Sequence, residues 1–164
     1  MTVTQEYLDT LLLYYEEEVE GEAYFMQFAR AFGDPQHRRK IELLGKVERH
    51  AAQAVRPLID KYKLDPKSTE TLFASGQAQA LEDKADWGAA LEGMNKTYPG
   101  YLIDFKNLEA LGPIEDQHLL KFLTEHEVAA LEFLALEATD PAFSTAPLEA
   151  YIATSPDTWQ PRTV

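Results

Sequence analysis

The sequence predicts an all-α fold, an up-down bundle of four long helices with a long crossover connection and a short helical tail. Three observations predict it. Apolar residues recur at three- and four-residue steps over long stretches. Gly33-Asp34-Pro35, Gly112-Pro113 and Asp140-Pro141 punctuate those stretches. No β-alternation, internal repeat or low-complexity segment interrupts the pattern.

The first helix is expected to start near Thr2 or Thr4, with Thr2 and Gln5 at capping-box spacing. Leu8, Leu11, Leu12, Tyr15, Val19, Phe25, Met26, Ala29 and Phe32 give it one wide apolar stripe, and Gly33 is expected to end it. Asp34-Pro35 reads as an N-cap followed by proline at the first helical position. The second helix then carries Ile41, Leu44, Val47, Ala51, Val55, Leu58 and Ile59, and Pro57 is expected to kink or break it near its end. The stretch 63–75, with Pro66 as a breaker, reads as the crossover, holding a short helical turn at 69–73.

The third helical region has Trp87, Leu91, Met94 and Tyr98 on one stripe. Pro99-Gly100 is expected to interrupt it before Tyr101, Leu102, Phe105, Leu108 and Leu111 resume the pattern. The fourth helix is expected over about 114–138, with Leu119, Leu120, Phe122, Leu123, Ala130, Leu131, Phe133 and Leu134. The bundle thus occupies 1–139. The tail, 140–164, is rich in proline and threonine, with a short helix at 147–154. Its Phe143, Leu148, Tyr151, Ile152 and Trp159 are expected to dock on the bundle or on a second subunit, which makes a homodimer an expectation.

Composition narrows the function classes. Hydrophobic residues make up 45% of the 164 residues, enough for one domain with its own core. The absence of cysteine removes disulfides, Fe–S clusters, thiolate zinc sites and cysteine nucleophiles together. A formal net charge of -13 repels phosphate backbones and anionic lipid, so neither nucleic acid nor a membrane is an expected partner. The basic run His37, Arg38, Arg39, Lys40 reads as a solvated helix face. With no signal-peptide pattern and no membrane-length apolar stretch, the expected location is cytoplasmic. Glycine-rich phosphate loops are absent, and no serine has the strand-turn-helix setting of a nucleophile elbow.

Most acidic residues here read as solvated helix surface, but a few sit among apolar neighbours. Glu48 lies among Ile41, Leu44, Gly45, Ala51, Ala52 and Val55 at helical spacing. Glu127 has Leu120, Leu123, Ala130, Leu131 and Leu134 around it. Glu18 is flanked by Leu11, Tyr14, Tyr15, Gly21 and Phe25, and Glu22, one turn on, by Val19, Phe25, Met26 and Ala29. An unpartnered buried carboxylate costs several kcal/mol, so a metal ion, tyrosine or histidine hydrogen bonds, or protonation must offset it. His126, adjacent to Glu127 and about 100° round the helix, lies on a partly apolar line. It reads as a buried histidine bonded to a carboxylate or tyrosine, with metal ligation as the alternative.

Residues 15–29 read YEEEVEGEAYFMQFA, 43–52 LLGKVERHAA and 126–137 HEVAALEFLALE. Together these resemble bacterial ferritin-like proteins related to the rubrerythrins. In di-iron proteins of that kind, a glutamate from each of two helices and a Glu-x-x-His motif from each of the other two hold the metals. The resemblance makes Glu18 the lone first-helix glutamate and Glu48 and Glu127 the glutamates of the two motifs. The sequence departs from the pattern at Ala51 and Ala130, which stand where both histidines are expected. The bridging glutamate of the third helix is also missing; Asp104, and after it Glu109, is the nearest acid to the stripe.

Two functional readings follow. In the first, the bundle lacks a complete redox di-iron centre and acts through binding of an unidentified small molecule or partner, or through assembly. Its buried glutamates are then held by Tyr14, Tyr15, Tyr24, Tyr98 or Tyr101 and by His126. In the second, Glu18, Glu22, Glu48, Glu127 and His126 hold a divalent metal, iron or manganese, for a carboxylate-bridged oxidoreductase (an iron oxidase or oxygenase). The two alanines favour the first.

Overall fold

The computed structural model describes residues 2–162. Its described residues form six α-helices and no strand: α1 (Gln5–Ala29), α2 (Pro35–Lys61), α3 (Thr69–Glu82), α4 (Trp87–Leu111), α5 (Gln117–Thr139) and α6 (Ala146–Ala153). Single 3-10 turns, Ile114–Asp116 and Pro141–Phe143, precede α5 and α6. None of the helices is long and apolar enough to cross a membrane.

Side-chain caps fix four of the starts. Thr4 accepts from the Tyr7 amide at 3.1 Å and Asp34 from the Gln36 amide at 2.8 Å. Ser68 accepts from the Thr71 amide at 3.1 Å and Asp86 from the Ala89 amide at 2.8 Å. Each satisfies an amide that has no partner within its own helix.

Contacts at the helix ends give the directions. Tyr7 at the start of α1, Lys61 and Tyr62 at the end of α2, and Asp116 at the entry to α5 all meet. Lys40 near the start of α2 reaches Glu137 near the end of α5. Glu109 near the end of α4 accepts from Thr124 of α5. Helix α1 therefore runs antiparallel to α2 and α4, and α5 runs alongside α1 in the same sense. Tyr24, late in α1, donates to Asp83 just before α4. The chain from Tyr62 to Asp86 thus travels the length of the bundle, as a crossover. The apolar core is continuous and includes the fully buried Tyr7, Leu11, Ile41, Ile59, Leu108, Leu120, Phe122, Leu123 and Phe133.

Several local expectations are corrected. The crossover carries not a turn at 69–73 but the 14-residue helix α3, packed on α1. Its buried residues are only Leu72, Gly76 and Ala80, a narrow stripe with a single large side chain. Pro57 and Pro99 do not break their helices. Both prolines are exposed, so water can satisfy the carbonyl that each leaves unpaired. Helix α1 ends at Ala29, before Gly33.

The run at 37–40 is solvated at Arg38 and Arg39, half-buried at His37 and buried at Lys40. His37 stacks on Trp87 at 4.1 Å, Arg38 donates to the Phe32 carbonyl and Arg39 pairs with Glu149. Lys40 is buried, 2.6 Å from Glu137. The tail docks on its own bundle. Leu148 is fully buried, Tyr151 stacks on Phe122 and donates to its carbonyl at 3.2 Å, and Trp159 packs edge-on against Phe122.

Candidate metal centre

Three helices deliver one cluster. The apolar neighbours that flank Glu18 on α1, Glu48 on α2 and Glu127 on α5 turn each of these side chains toward the interior. Glu18 and Glu127 are 4% and 5% exposed, His126 only 1%, and Glu48 is partly buried. The His126 Nε2 atom lies 3.1 Å from Glu18 Oε2, 3.3 Å from Glu127 Oε1 and 3.7 Å from Glu48 Oε2. Glu18, Glu48 and His126 each offer a ligand atom within 4.8 Å of the other two. Gly21, one turn after Glu18, makes room for this convergence: a Cβ there would stand 3.1 Å from Glu48 Cδ.

The orientation of His126 is set from behind. Its Nδ1 bonds the Leu123 carbonyl oxygen, which can only accept, so Nδ1 carries a proton. Nε2 is left facing three carboxylates, the arrangement in which a histidine ligates a metal or bears a second proton. Nε2 itself, Glu18 Oε2 and Glu127 Oε2 are buried and make no hydrogen bond. Without a cation, protons hold the cluster together. Burial opposes a charged His126, but the Glu18 and Glu127 carboxylates hold it well above the usual imidazole range. Burial pushes Glu48 well up, and the Glu18 charge adds to this. Burial acts to raise Glu18, but the His126 charge beside it prevails and holds it below the usual carboxylate range.

Other candidates fall elsewhere. Glu22 is buried but turns to Arg49, whose Nε lies 2.5 Å from its Oε1. Asp104 is exposed, and Glu109 accepts from the Thr124 hydroxyl at 2.5 Å. In place of a carboxylate, α4 sends aromatic rings: Phe105 stands edge-on to His126 with centroids 5.0 Å apart. Ala51 and Ala130 are buried, so no second imidazole enters from those positions. His50 bonds the Thr154 carbonyl at 2.6 Å and packs against Tyr151 and Phe122. Among the described residues no tyrosine hydroxyl bonds to the cluster: Tyr24 donates to Asp83 and Tyr15 accepts from Arg56.

Unanticipated from the sequence is a cavity of about 840 Å³ between α1 and α4, with Glu18, Glu48 and Glu127 among its lining residues. Phe25, Phe28, Met94, Tyr98 and Phe105 form its buried apolar walls. Burial, and then the negative charge of Glu127 and Glu48, raise the Tyr98 phenol well above its usual value. The volume falls in the range of small-molecule sites. No protein family, curated protein or solved structure matches this chain.

Proposed function

We propose that the chain is a ferritin-like bundle that binds a divalent cation through Glu18, Glu48, Glu127 and His126, with the adjoining cavity as its ligand chamber. The observation that carries this reading is the trio of orphaned buried atoms, Glu18 Oε2, Glu127 Oε2 and His126 Nε2, in one cluster. Buried polar atoms are rarely left unbonded, and a cation would satisfy all three at once. The helix directions and the crossover support the ferritin-like reading, as does a carboxylate on each of three helices.

The donor set fits the group. Three carboxylates and one imidazole suit manganese or iron(II), and the oxygen-rich balance favours a hard cation. With Ala51 and Ala130 in place of two imidazoles, a single cation suits the site better than a matched pair of irons. A bound redox-active ion would supply electron-transfer or oxygen chemistry at the cavity. The chain's own residues would hold it from three helices, orient His126 through Leu123 and keep bulk water away with Tyr98 and Phe105.

Metal analysis of protein purified without chelator or affinity metal, followed by anaerobic iron(II) and manganese(II) titration, tests this. Saturable, stoichiometric binding is expected, and Glu18→Ala and His126→Ala should abolish it while far-ultraviolet circular dichroism stays helical. A folded protein with no bound metal and no saturable titration would refute the reading. The cluster would then be the proton-sharing core of a metal-free binding protein.

A further inference from the structure

The cavity has a chemical bias beyond its metal-binding end. Its other acidic lining residues are Glu17, Glu20, Asp83 and Asp104, and its only lysine or arginine is Lys84. Among the described residues, none of those four carboxylates makes an ion pair with lysine, arginine or histidine. Asp83 accepts from Tyr24, and Glu20 from Ser75 and Gln79. Below this acidic mouth the walls are aromatic. Tyr14 packs on Phe105 with centroids 5.1 Å apart, Tyr98 on Tyr101 at 5.8 Å, and Tyr24 on Phe28 at 5.5 Å.

Unpaired carboxylates above aromatic faces attract one class of molecule. A cation is drawn by the charge and held against ring faces, an apolar body fills the walls, and an anion is repelled. Glu18, Glu48 and Glu127 belong to the same lining and add three carboxylates, with His126 beside them as the one neighbouring group that can carry positive charge. We infer that this cavity binds an organic cation, a protonated amine carried on an aryl or alkyl body. The four outer carboxylates are not in the metal cluster, so the inference does not rest on a metal being bound.

Three probes of matched size test it: phenethylammonium, 2-phenylethanol and 3-phenylpropanoate, titrated calorimetrically into the full chain. About 0.15 M salt screens attraction to the net charge alone. Both chelator-treated and manganese-treated protein are measured. The ammonium should bind at least about tenfold more tightly than the alcohol in both samples, and the carboxylate should not bind. The pair Glu17→Gln and Asp104→Asn should cut that preference several-fold. Gly93→Phe should abolish binding, because Gly93 lines the cavity and a Cβ there meets no atom within 4 Å, so the ring has an unobstructed start; far-ultraviolet circular dichroism checks that the variant is folded. Met94→Trp is a second block from a buried wall position. Equal binding of alcohol and ammonium, no binding of any probe, or ammonium binding that survives both blocks in folded protein would overturn the inference. Loss of the metal titration alone would refute only the metal reading and leave the amine preference standing.

Discussion

Gly76 of α3 lies so close to Glu20 of α1 that a Cβ on it would stand 2.2 Å from the Glu20 carbonyl oxygen. The two helices meet backbone to backbone there, and neither partner has a flexible end that can move aside. Alanine at position 76 would gain about 1 kcal/mol of helix propensity but must push α3 off α1. Gly76→Ala is therefore expected to destabilise the fold by a net ~2 kcal/mol, in the usual range for overpacking. Urea denaturation measures it. Gly100→Ala is the control: it lies within α4 with no atom within 4 Å of a new Cβ, and should gain about 0.5 to 1 kcal/mol. Equal effects at the two sites would mean that α3 is not seated as described.

Gly21 and Glu48 give a test of the metal site that spares the ligands themselves. The Gly21→Ala methyl would press on the Glu48 carboxylate, with Cδ at 3.1 Å and Oε2 at 3.3 Å. The carboxylate can shift by a few tenths of an ångström, so the fold should survive, and helix propensity favours alanine by roughly 1 kcal/mol. The ligand set, however, loses its alignment. Manganese affinity is expected to fall by about tenfold, with thermal melting of the metal-free protein unchanged or raised. A variant with unaltered affinity would show that Glu48 is not among the ligands.

How much of this was legible in the sequence depends on how local each cause is. Helices α1, α2 and α5 have wide apolar stripes, and Glu18, Glu48 and Glu127 stand out because their own helical neighbours are apolar. Helix α3 does not stand out, because Leu72, Gly76 and Ala80 make a stripe too narrow to distinguish from a loop. Pro57 and Pro99 mislead for a related reason: their tolerance follows from exposure, which tertiary packing decides. Glu22 looks as inward as Glu18, yet its partner Arg49 is 27 residues away on another helix. Lys40 looks solvated, and its partner Glu137 is 97 residues away. The meeting of His126 with three carboxylates is equally non-local, since it depends on the register of α1, α2 and α5. The cavity leaves no sequence signal, because it arises from the gap between α1 and α4.

Leu148 tests whether the tail is part of the fold. It is fully buried, on the short helix that covers α5 and α2. Leu148→Ala is expected to cost about 2 to 5 kcal/mol by leaving a cavity under α6. The same loss should appear in thermal melting and in urea unfolding, with a single cooperative transition. A change under about 0.5 kcal/mol would place the tail outside the cooperative unit.

Asp116 supplies a pH dependence whose sign is fixed by its partners. It is 1% exposed, and its Oδ2 accepts from Tyr7 at 2.8 Å and Tyr62 at 2.5 Å, while Lys61 reaches Oδ1 at 2.6 Å. Burial acts to raise its pKa, but the hydrogen bonds from Lys61, Tyr62 and Tyr7 prevail and hold it below the usual carboxylate value. A carboxyl with a depressed folded pKa stabilises fully above its unfolded pKa of about 4, and loses that contribution as pH falls through the folded value. Asp116→Asn should therefore cost roughly 2 to 4 kcal/mol at neutral pH, because it removes the anion from three donors. The gap between wild type and variant should narrow progressively below about pH 4. Urea unfolding of both proteins at neutral pH and at pH values below 4 measures that gap, and subtraction cancels the acidic groups common to both. A gap that stayed constant across the range would mean that Asp116 is not held as an anion, and that the junction of α1, α2 and α5 is secured by packing around Tyr7 instead.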